Sequence, residues 1–289
     1  MSFWVAELLV SAHRDSHAAH CTAASMPCKP CAVLLLAAHA AALQPPSWSA
    51  LSKTLPSAAA EAPTIIDAVQ YQQKRPPLSD DTVILFRERN GWCPYSERVW
   101  LGLEAKKVAY ETVLIDNTGG ARPSWFGSTT PRIRWADGTD QGESIDILKE
   151  MDERYPSEPP LFDEHSGALI GAFKEIFPRM TRPSSRAAFL FRSSGQPVAR
   201  RDFESTLEKT DALLAEATGG PFFAGATPTA PDVCWAPFLE RYAAQLPLLH
   251  DGLRPRDATL YPNLSRWYDA MESTTVWKSN FRRLMPSTR

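Results

Sequence analysis

The chain lacks a long hydrophobic run. Its most apolar stretch, Ala32–Leu43 (AVLLLAAHAAAL), falls well short of the roughly 20 residues a membrane-spanning helix needs, so no stable membrane span is expected. Excess charge is also missing: 31 Lys and Arg against 33 Asp and Glu leave a formal net charge of −2, which gives no electrostatic reason to expect nucleic acid as a partner. No repeat of solenoid length occurs, and Gly and Pro are scattered rather than periodic. Cysteine is scarce and odd in number. Five cysteines argue against a simple closed disulfide framework, and Cys21, Cys28 and Cys31 lie in an N-terminal stretch outside the expected fold. Cys93 and Cys234 remain, two lone thiols far apart in sequence, as suits a reducing compartment.

Residues 1–63 are rich in Ala, Ser, His and Pro and poor in acids after Asp15. Ala32–Leu43, preceded by Lys29 and followed by Pro45 and Pro46, has the length of a signal-peptide core. The sequence after it, with only Lys53 and Glu61 charged, resembles a plastid transit segment. Together they resemble the bipartite leaders of algae with complex plastids, and a start at Met26 would place Lys29 in the charged opening. The expectation is a disordered targeting presequence over 1–63 and a plastid location. The alternatives are secretion, or a cytoplasmic protein if the upstream sequence is misannotated. His13, His17, His20 and Cys21 followed by Cys28 and Cys31 mimic a zinc pattern, but no second ligand pair on a small fold anchors them, so no metal is expected.

Chemistry begins further on. Thr82–Arg87 (TVILFR), bounded by Asp80–Asp81 and Asn90–Gly91, reads as a buried strand. From Pro94 the pattern turns helical: Tyr95, Val99 and Leu103 fall at i, i+4 and i+8, with Glu97, Arg98, Glu104 and Lys106 mostly elsewhere on the wheel. Tyr110–Ile115 is the next strand, completing a βαβ unit. A loop over Asp116–Ser128 precedes Pro131, a strand at Arg132–Trp135, a turn at Asp137–Gly138 and a helix from Ser144 to about Arg154, with Ile145, Leu148 and Met151 inward. The proline-rich 156–160 reads as a linker. After it come helices at about 165–178, 201–217, 231–245 and 263–272. Thr229-Ala230-Pro231-Asp232 opens one of them as a capped start.

Cys93 lies where the first strand turns into its helix, with Pro94 in the first turn. Unpaired amides and the positive end of the helix dipole meet there and favour a thiolate. The flanking Gly91 and Pro94 favour a reactive cysteine over an inert buried one. Ser96 stands three residues on, so no internal disulfide closes; an oxidised Cys93 must be resolved by an external thiol. The implied chemistry is monothiol exchange.

The stretch CPYSERVW (Cys93–Trp100) resembles glutaredoxins over its first four residues. Over its whole length it resembles the cysteine-type glutathione transferases of the omega, lambda and dehydroascorbate reductase classes. Arg122-Pro123-Ser124-Trp125-Phe126 resembles their K-P-x-W-F element, Thr130-Pro131 their cis-proline, and Glu143-Ser144 their E-S pair. Tyr261-Pro262-Asn263-Leu264 with Trp267 resembles their final helix. The resemblance covers roughly 80–285 and implies a glutathione transferase fold: a thioredoxin-like α/β domain at 80–155 and an all-helical domain at 161–285. It also implies glutathione as co-substrate, held by Arg122 at its glycine carboxylate, by Thr130 and Pro131 at its cysteinyl backbone, and by Glu143 and Ser144 at its γ-glutamyl group. A serine at a helix start offers a hydroxyl and amides to a carboxylate, and a glutamate offers a site for an ammonium. The chain departs from the family's G-K-V-P-like run at Ser128-Thr129-Thr130, losing a cation that Arg122 or Arg132 could replace.

Trp92, Pro94 and Tyr95 are candidate pocket-lining residues, while Cys234 on an apolar helix face reads as core. The basic stretch Arg179, Arg182, Arg186 and Arg192 reads as a solvated face, and His165 and His250 carry no assignment. The expected function is a glutathione-dependent thiol transferase or reductase acting through Cys93 on a small oxidised or electrophilic substrate, as a monomer or homodimer. Dehydroascorbate reduction, with Lys106–Tyr110 (KVAY after Lys106) as its cue, and glutathione conjugation are the enzymatic alternatives. A ligand carrier resembling chloride intracellular channel proteins and a glutaredoxin-like iron–sulfur carrier are the others.

Overall fold

The computed structural model describes residues 64–117, 122–127, 129–156, 160–177 and 197–274, all within the compact unit Glu61–Arg289. The presequence, its His/Cys pattern, Gly119–Gly120, Ser128 and the four-arginine stretch lie outside the described residues.

Five strands form one sheet: β1 (Ile65–Asp67), β2 (Val83–Glu88), β3 (Tyr110–Ile115), β4 (Arg132–Arg134) and β5 (Asp140–Gln141), in the order β1-β3-β2-β4-β5. The first three run parallel, and β4 and β5 run antiparallel to their neighbours. All six residues of β2 are buried, because the sheet is covered on both faces. Val83, Leu85 and Ile133 face the helices α1 (Pro94–Ala105) and α2 (Ser144–Arg154). Ile84, Phe86, Val113 and Ile115 face a second, smaller cluster that includes Ala68 and Phe126. The sheet thus starts well before residue 80. β1 and the 3-10 turn Ala68–Gln70 are three residues each, too short for periodicity to register, as is β5.

The second half is helical: α3 (Ser166–Ile176), α4 (Arg200–Ala215), α5 (Ala230–Leu249) and α6 (Pro262–Ser273). Phe173, Phe177, Trp235 and Phe238 pack edge-to-face or stacked with centroids 4.5–5.6 Å apart, each such pair adding about 0.5–1.5 kcal/mol beyond area burial. Asp232 is buried at the start of α5 and accepts from the Thr229 N–H (2.9 Å) and hydroxyl (3.2 Å), the Phe223 N–H (3.2 Å) and the Trp267 Nε1–H (2.8 Å). This joins the cap of α5 to α6. Asp211 likewise caps α6, accepting from the Asn263 and Leu264 amides at 2.8 Å. α5 continues to Leu249 through Pro237 and Pro247, four residues beyond the sequence-based end, because packing along its length outweighs the lost backbone bonds.

Glu97 and Arg98, set apart on the wheel from Tyr95, Val99 and Leu103, are nevertheless buried, because α5 packs against that side of the helix and supplies partners. Arg98 Nε donates to the Cys234 carbonyl at 2.8 Å, and its guanidinium lies 4.7–5.1 Å from the ring centroids of Tyr95, Phe173 and Phe238. Opposite, Lys106 Nζ pairs with Asp152 at 2.5 Å, and Asp152 also accepts the Leu161 and Phe162 amides at 2.9 Å. Burial raises the Asp152 pKa, but these donors outweigh it and hold the carboxyl below its ordinary range. The chain therefore leaves the α/β half under a fixed constraint.

Candidate functional site

β2 ends at Glu88, and five residues later the chain enters α1. Glu88 organises that turn: one carboxylate oxygen accepts the Asn90 N–H (2.8 Å) and Nδ2–H (3.0 Å), the other the Trp92 N–H (2.7 Å). Gly91 sits at φ 71°, a left-handed conformation that suits glycine. Cys93 is the N-cap residue of α1, extended at φ −78° and ψ 108°, with Pro94 following in the first turn. The residue is 3% exposed, and its thiol donates to the Thr130 carbonyl at 3.7 Å. Behind it is a small cavity lined by Arg87, Glu88, Ser96, Glu97 and Trp100. The Arg87 guanidinium lies 4.5 Å from the Trp100 ring centroid, and burial pulls its pKa down.

The Thr130–Pro131 peptide bond is cis. The Thr130 hydroxyl accepts from Asn117 Nδ2 at 2.8 Å, tying the segment to the end of β3. Glu143 is the N-cap of α2, exposed, at φ 61° and ψ 108°. A non-glycine residue there costs on the order of 1–3 kcal/mol, and such outliers gather at functional sites. Ser144, buried, opens the helix. Burial raises the Tyr95 pKa against the pull of the Arg98 guanidinium, with smaller upward pushes from Cys93 and Glu143. Cys93 and the cis-proline segment are thus in direct contact, and Glu143–Ser144 opens the next helix of the same α/β half.

The other sequence candidates divide. Pro94 is buried in the first turn of α1, and Trp92 is half-buried with its amide committed to Glu88. The Tyr95 ring packs edge-on against Phe238 of α5 at 5.7 Å. Arg122 lies on the sheet face away from α1, its guanidinium 5.3 Å from the Phe126 ring centroid, with burial lowering its pKa. The rest of its element is structural: the Ser124 N–H and hydroxyl both donate to the Gln72 carbonyl, and Trp125 Nε1 donates to the Tyr71 carbonyl. Cys234 is fully buried, and burial pushes its thiol up to about 11, which makes it an inert core residue.

Residues 92–154 match the family description "Glutathione S-transferase, N-terminal domain", and 175–270 match "Glutathione S-transferase, C-terminal domain". The rice (Oryza sativa subsp. japonica) protein "Probable glutathione S-transferase DHAR1, cytosolic" is 32% identical over 165 residues, covering 55% of this chain and 70% of that one. This chain belongs to the glutathione S-transferase family. "Glutathione S-transferase L1" of Arabidopsis thaliana is 25% identical over 214 residues, covering 70% of this chain and 83% of its own. Among solved structures, the Leishmania trimeric glutathione transferase TDR1 superposes with a TM-score of 0.54 at 21% identity over 71% of this chain and 49% of that one. That likeness supports the fold alone. The maleylacetoacetate isomerase of Anaeromyxobacter dehalogenans 2CP-1, solved with glutathione in its active site, gives a TM-score of 0.51 at 25% identity over 72% of this chain and 98% of that one.

Within this transferase, two side chains next to the thiol escaped sequence reading. Glu88 had a faint signal, an acid closing an apolar strand just before Asn-Gly. Arg241 had none: it reaches the Cys93 loop from α5, 150 residues away, with Nη2 2.9 Å from the Gly91 carbonyl. The K-K-V-x-Y cue of Lys106–Tyr110 is structural here, since Lys106 pairs with Asp152, Val108 is in the core, and the Tyr110 hydroxyl donates to Glu104 at 2.6 Å. Among the described residues no helix is long and apolar enough to cross a membrane.

Proposed function

We propose that this transferase is a glutathione-dependent thiol transferase whose catalytic residue is Cys93. The observation that carries the reading is the placement of that thiol at the N-cap of α1 against the Thr130 carbonyl, with Ser96 where a second cysteine would stand. The Cys93 thiolate attacks the glutathionyl sulfur of a mixed disulfide, its S–S bond breaks, and the substrate leaves as a thiolate that takes up a proton. Glutathione, deprotonated, then attacks the glutathionyl sulfur on Cys93, releasing glutathione disulfide and restoring the Cys93 thiolate. In this scheme the Thr130 backbone pairs with the cysteinyl part of glutathione, while Glu143 and Ser144 receive its γ-glutamyl end. Arg122 serves the glycine carboxylate, which requires glutathione to reach toward the Phe126 side of the sheet.

The test is turnover of a glutathione mixed disulfide by the full chain and by Cys93→Ser; undiminished activity in the variant rejects the reading. Dehydroascorbate is the second substrate to assay, because relatives named as dehydroascorbate-reductase-type transferases (DHAR) reach 32% identity. The leader favours plastid import. Fusing residues 1–63 to a fluorescent protein tests it, and fluorescence confined to the cytosol rejects it.

A further inference from the structure

The peptide group joining Gly91 to Trp92 is gripped at both ends by opposite charges. Its N–H donates to the Glu88 carboxylate at 2.7 Å, and its C=O accepts from Arg241 Nη2 at 2.9 Å. Glu88 belongs to the end of β2, in the same half as the thiol. Arg241 belongs to α5, in the helical half, and its other nitrogen, Nη1, is anchored on Glu97 Oε2 at 2.6 Å and on the Pro237 carbonyl. The Arg241–Glu97 pair is shielded, with side chains 13% and 6% exposed, so water screens it far less than a surface pair. Beside it, burial and then the Glu97 charge push the Glu240 carboxyl well above its ordinary value.

A peptide at a left-handed glycine is a place where the plane turns over easily. Here a flip would aim the carbonyl at the Glu88 carboxylate and the N–H at the Arg241 guanidinium, an unfavourable reversal at both ends. The next residue but one after Gly91 is Cys93, so the orientation of this peptide decides where the sulfur points.

We propose that Arg241 and Glu88 are positioning residues that clamp the Gly91–Trp92 peptide, so that docking of the helical half sets the geometry of the Cys93 thiol. The proposal rests on Cys93 being the reacting group. A staple that only held the halves together would affect stability and leave turnover per folded molecule alone.

The experiment compares Arg241→Gln, Arg241→Lys, Glu88→Gln and the double Glu88→Gln/Arg241→Gln in the full chain. It reads kcat and the glutathione KM with a glutathione mixed disulfide, alongside Tm. A misaimed sulfur predicts about a tenfold fall in kcat for Arg241→Gln and for Glu88→Gln, with KM changed by less than about twofold. Because both residues grip one peptide, the double variant falls about as far as either single one, and lysine, able to donate to the Gly91 carbonyl, restores part of kcat. Parental kcat in Arg241→Gln, a loss confined to KM, or effects that multiply in the double variant overturn the clamp. Should Arg241→Gln not fold, Arg241→Lys and Glu88→Gln decide, and parental kcat in both overturns it. Iodoacetamide labelling of Cys93, read on its own peptide, separates the clamp from the functional reading. If Cys93→Ser keeps full turnover, that reading fails, while the clamp still predicts at least a roughly threefold change in labelling rate for Arg241→Gln, and an unchanged rate overturns it.

Discussion

Where the α/β half bends its backbone, at Gly91 and Thr130–Pro131, it sets polar groups around one thiol, and at Glu143 it opens the next helix in a rare conformation. Where the helical half bends, at Thr229 and Tyr261, it folds polar groups back on themselves: Asp232 takes four donors, and Asp211 takes both amides that open α6. One region keeps an irregular backbone beside its thiol, where the proposed function places glutathione, and the other uses its polar groups for closure. Substitutions should accordingly affect chemistry in one half and stability in the other, with Arg241 as the crossing point.

The sharpest separation comes from Cys93→Ser, which should lower thiol–disulfide turnover by about a thousandfold or more, since a hydroxyl is a far weaker nucleophile at neutral pH. Calorimetry should find its Tm close to that of the parent. Asp232→Ala makes the opposite case. It strands the buried amides of Thr229 and Phe223 and the indole of Trp267, and should cost about 3–5 kcal/mol in denaturant unfolding. The molecules that remain folded should keep their turnover.

The same carboxyl tests the comparison by pH. Burial pushes Asp232 up to about 6, against the pull of its four donors. A carboxyl raised above its unfolded value binds more protons in the native state between the two values. Its contribution is therefore full below about pH 4 and is lost as pH rises through about 6, by about 2–3 kcal/mol. The parent should show this fall relative to Asp232→Ala in unfolding free energies measured from pH 4 to 7. A flat difference would mean the donors fully offset burial.

Glu143→Gly should move the two properties in opposite directions. Relieving φ 61° should stabilise the fold by about 1 kcal/mol, while loss of the carboxylate should raise the glutathione KM about tenfold. A stability gain with unchanged KM would remove Glu143 from the site. The smallest effect belongs to Cys234→Ala: as a buried, inert thiol, it should leave turnover within about twofold.

Legibility follows the same division. β2, α1, β3 and α2 carry enough residues for a periodic pattern to show, and their observed spans lie within a residue or so of the expected ones. β1 and β5 escaped because three and two residues hold no pattern. Their pairing to β3 and β4 is decided by strands already present. Cys93 was legible as a local signature of a helix start, whereas the cis-proline segment and Glu143–Ser144 were picked out only by the resemblance to the cysteine-type transferases, since a Thr-Pro step or an E-S helix start alone is a common turn or cap. The burial of Glu97 and Arg98 was not legible from the helix wheel, because no local rule says that a second helix will cover that face.

What the sequence by itself determined is the set of local decisions: a cysteine at a helix start, a serine excluding its dithiol partner, a proline able to take the cis form, and a capped start for α5. Each depends on neighbours a few residues apart, whose sterics and hydrogen bonds act before any tertiary contact forms. Only the tertiary structure decided which face of the sheet Arg122 occupies, that Glu97 and Arg98 are buried, and that Arg241 holds the Gly91 carbonyl. The last two depend on how α5 docks against α1, and the first on the Phe126 cluster that covers the opposite face of the sheet; both are packings of side chains far apart in the chain that no local pattern encodes.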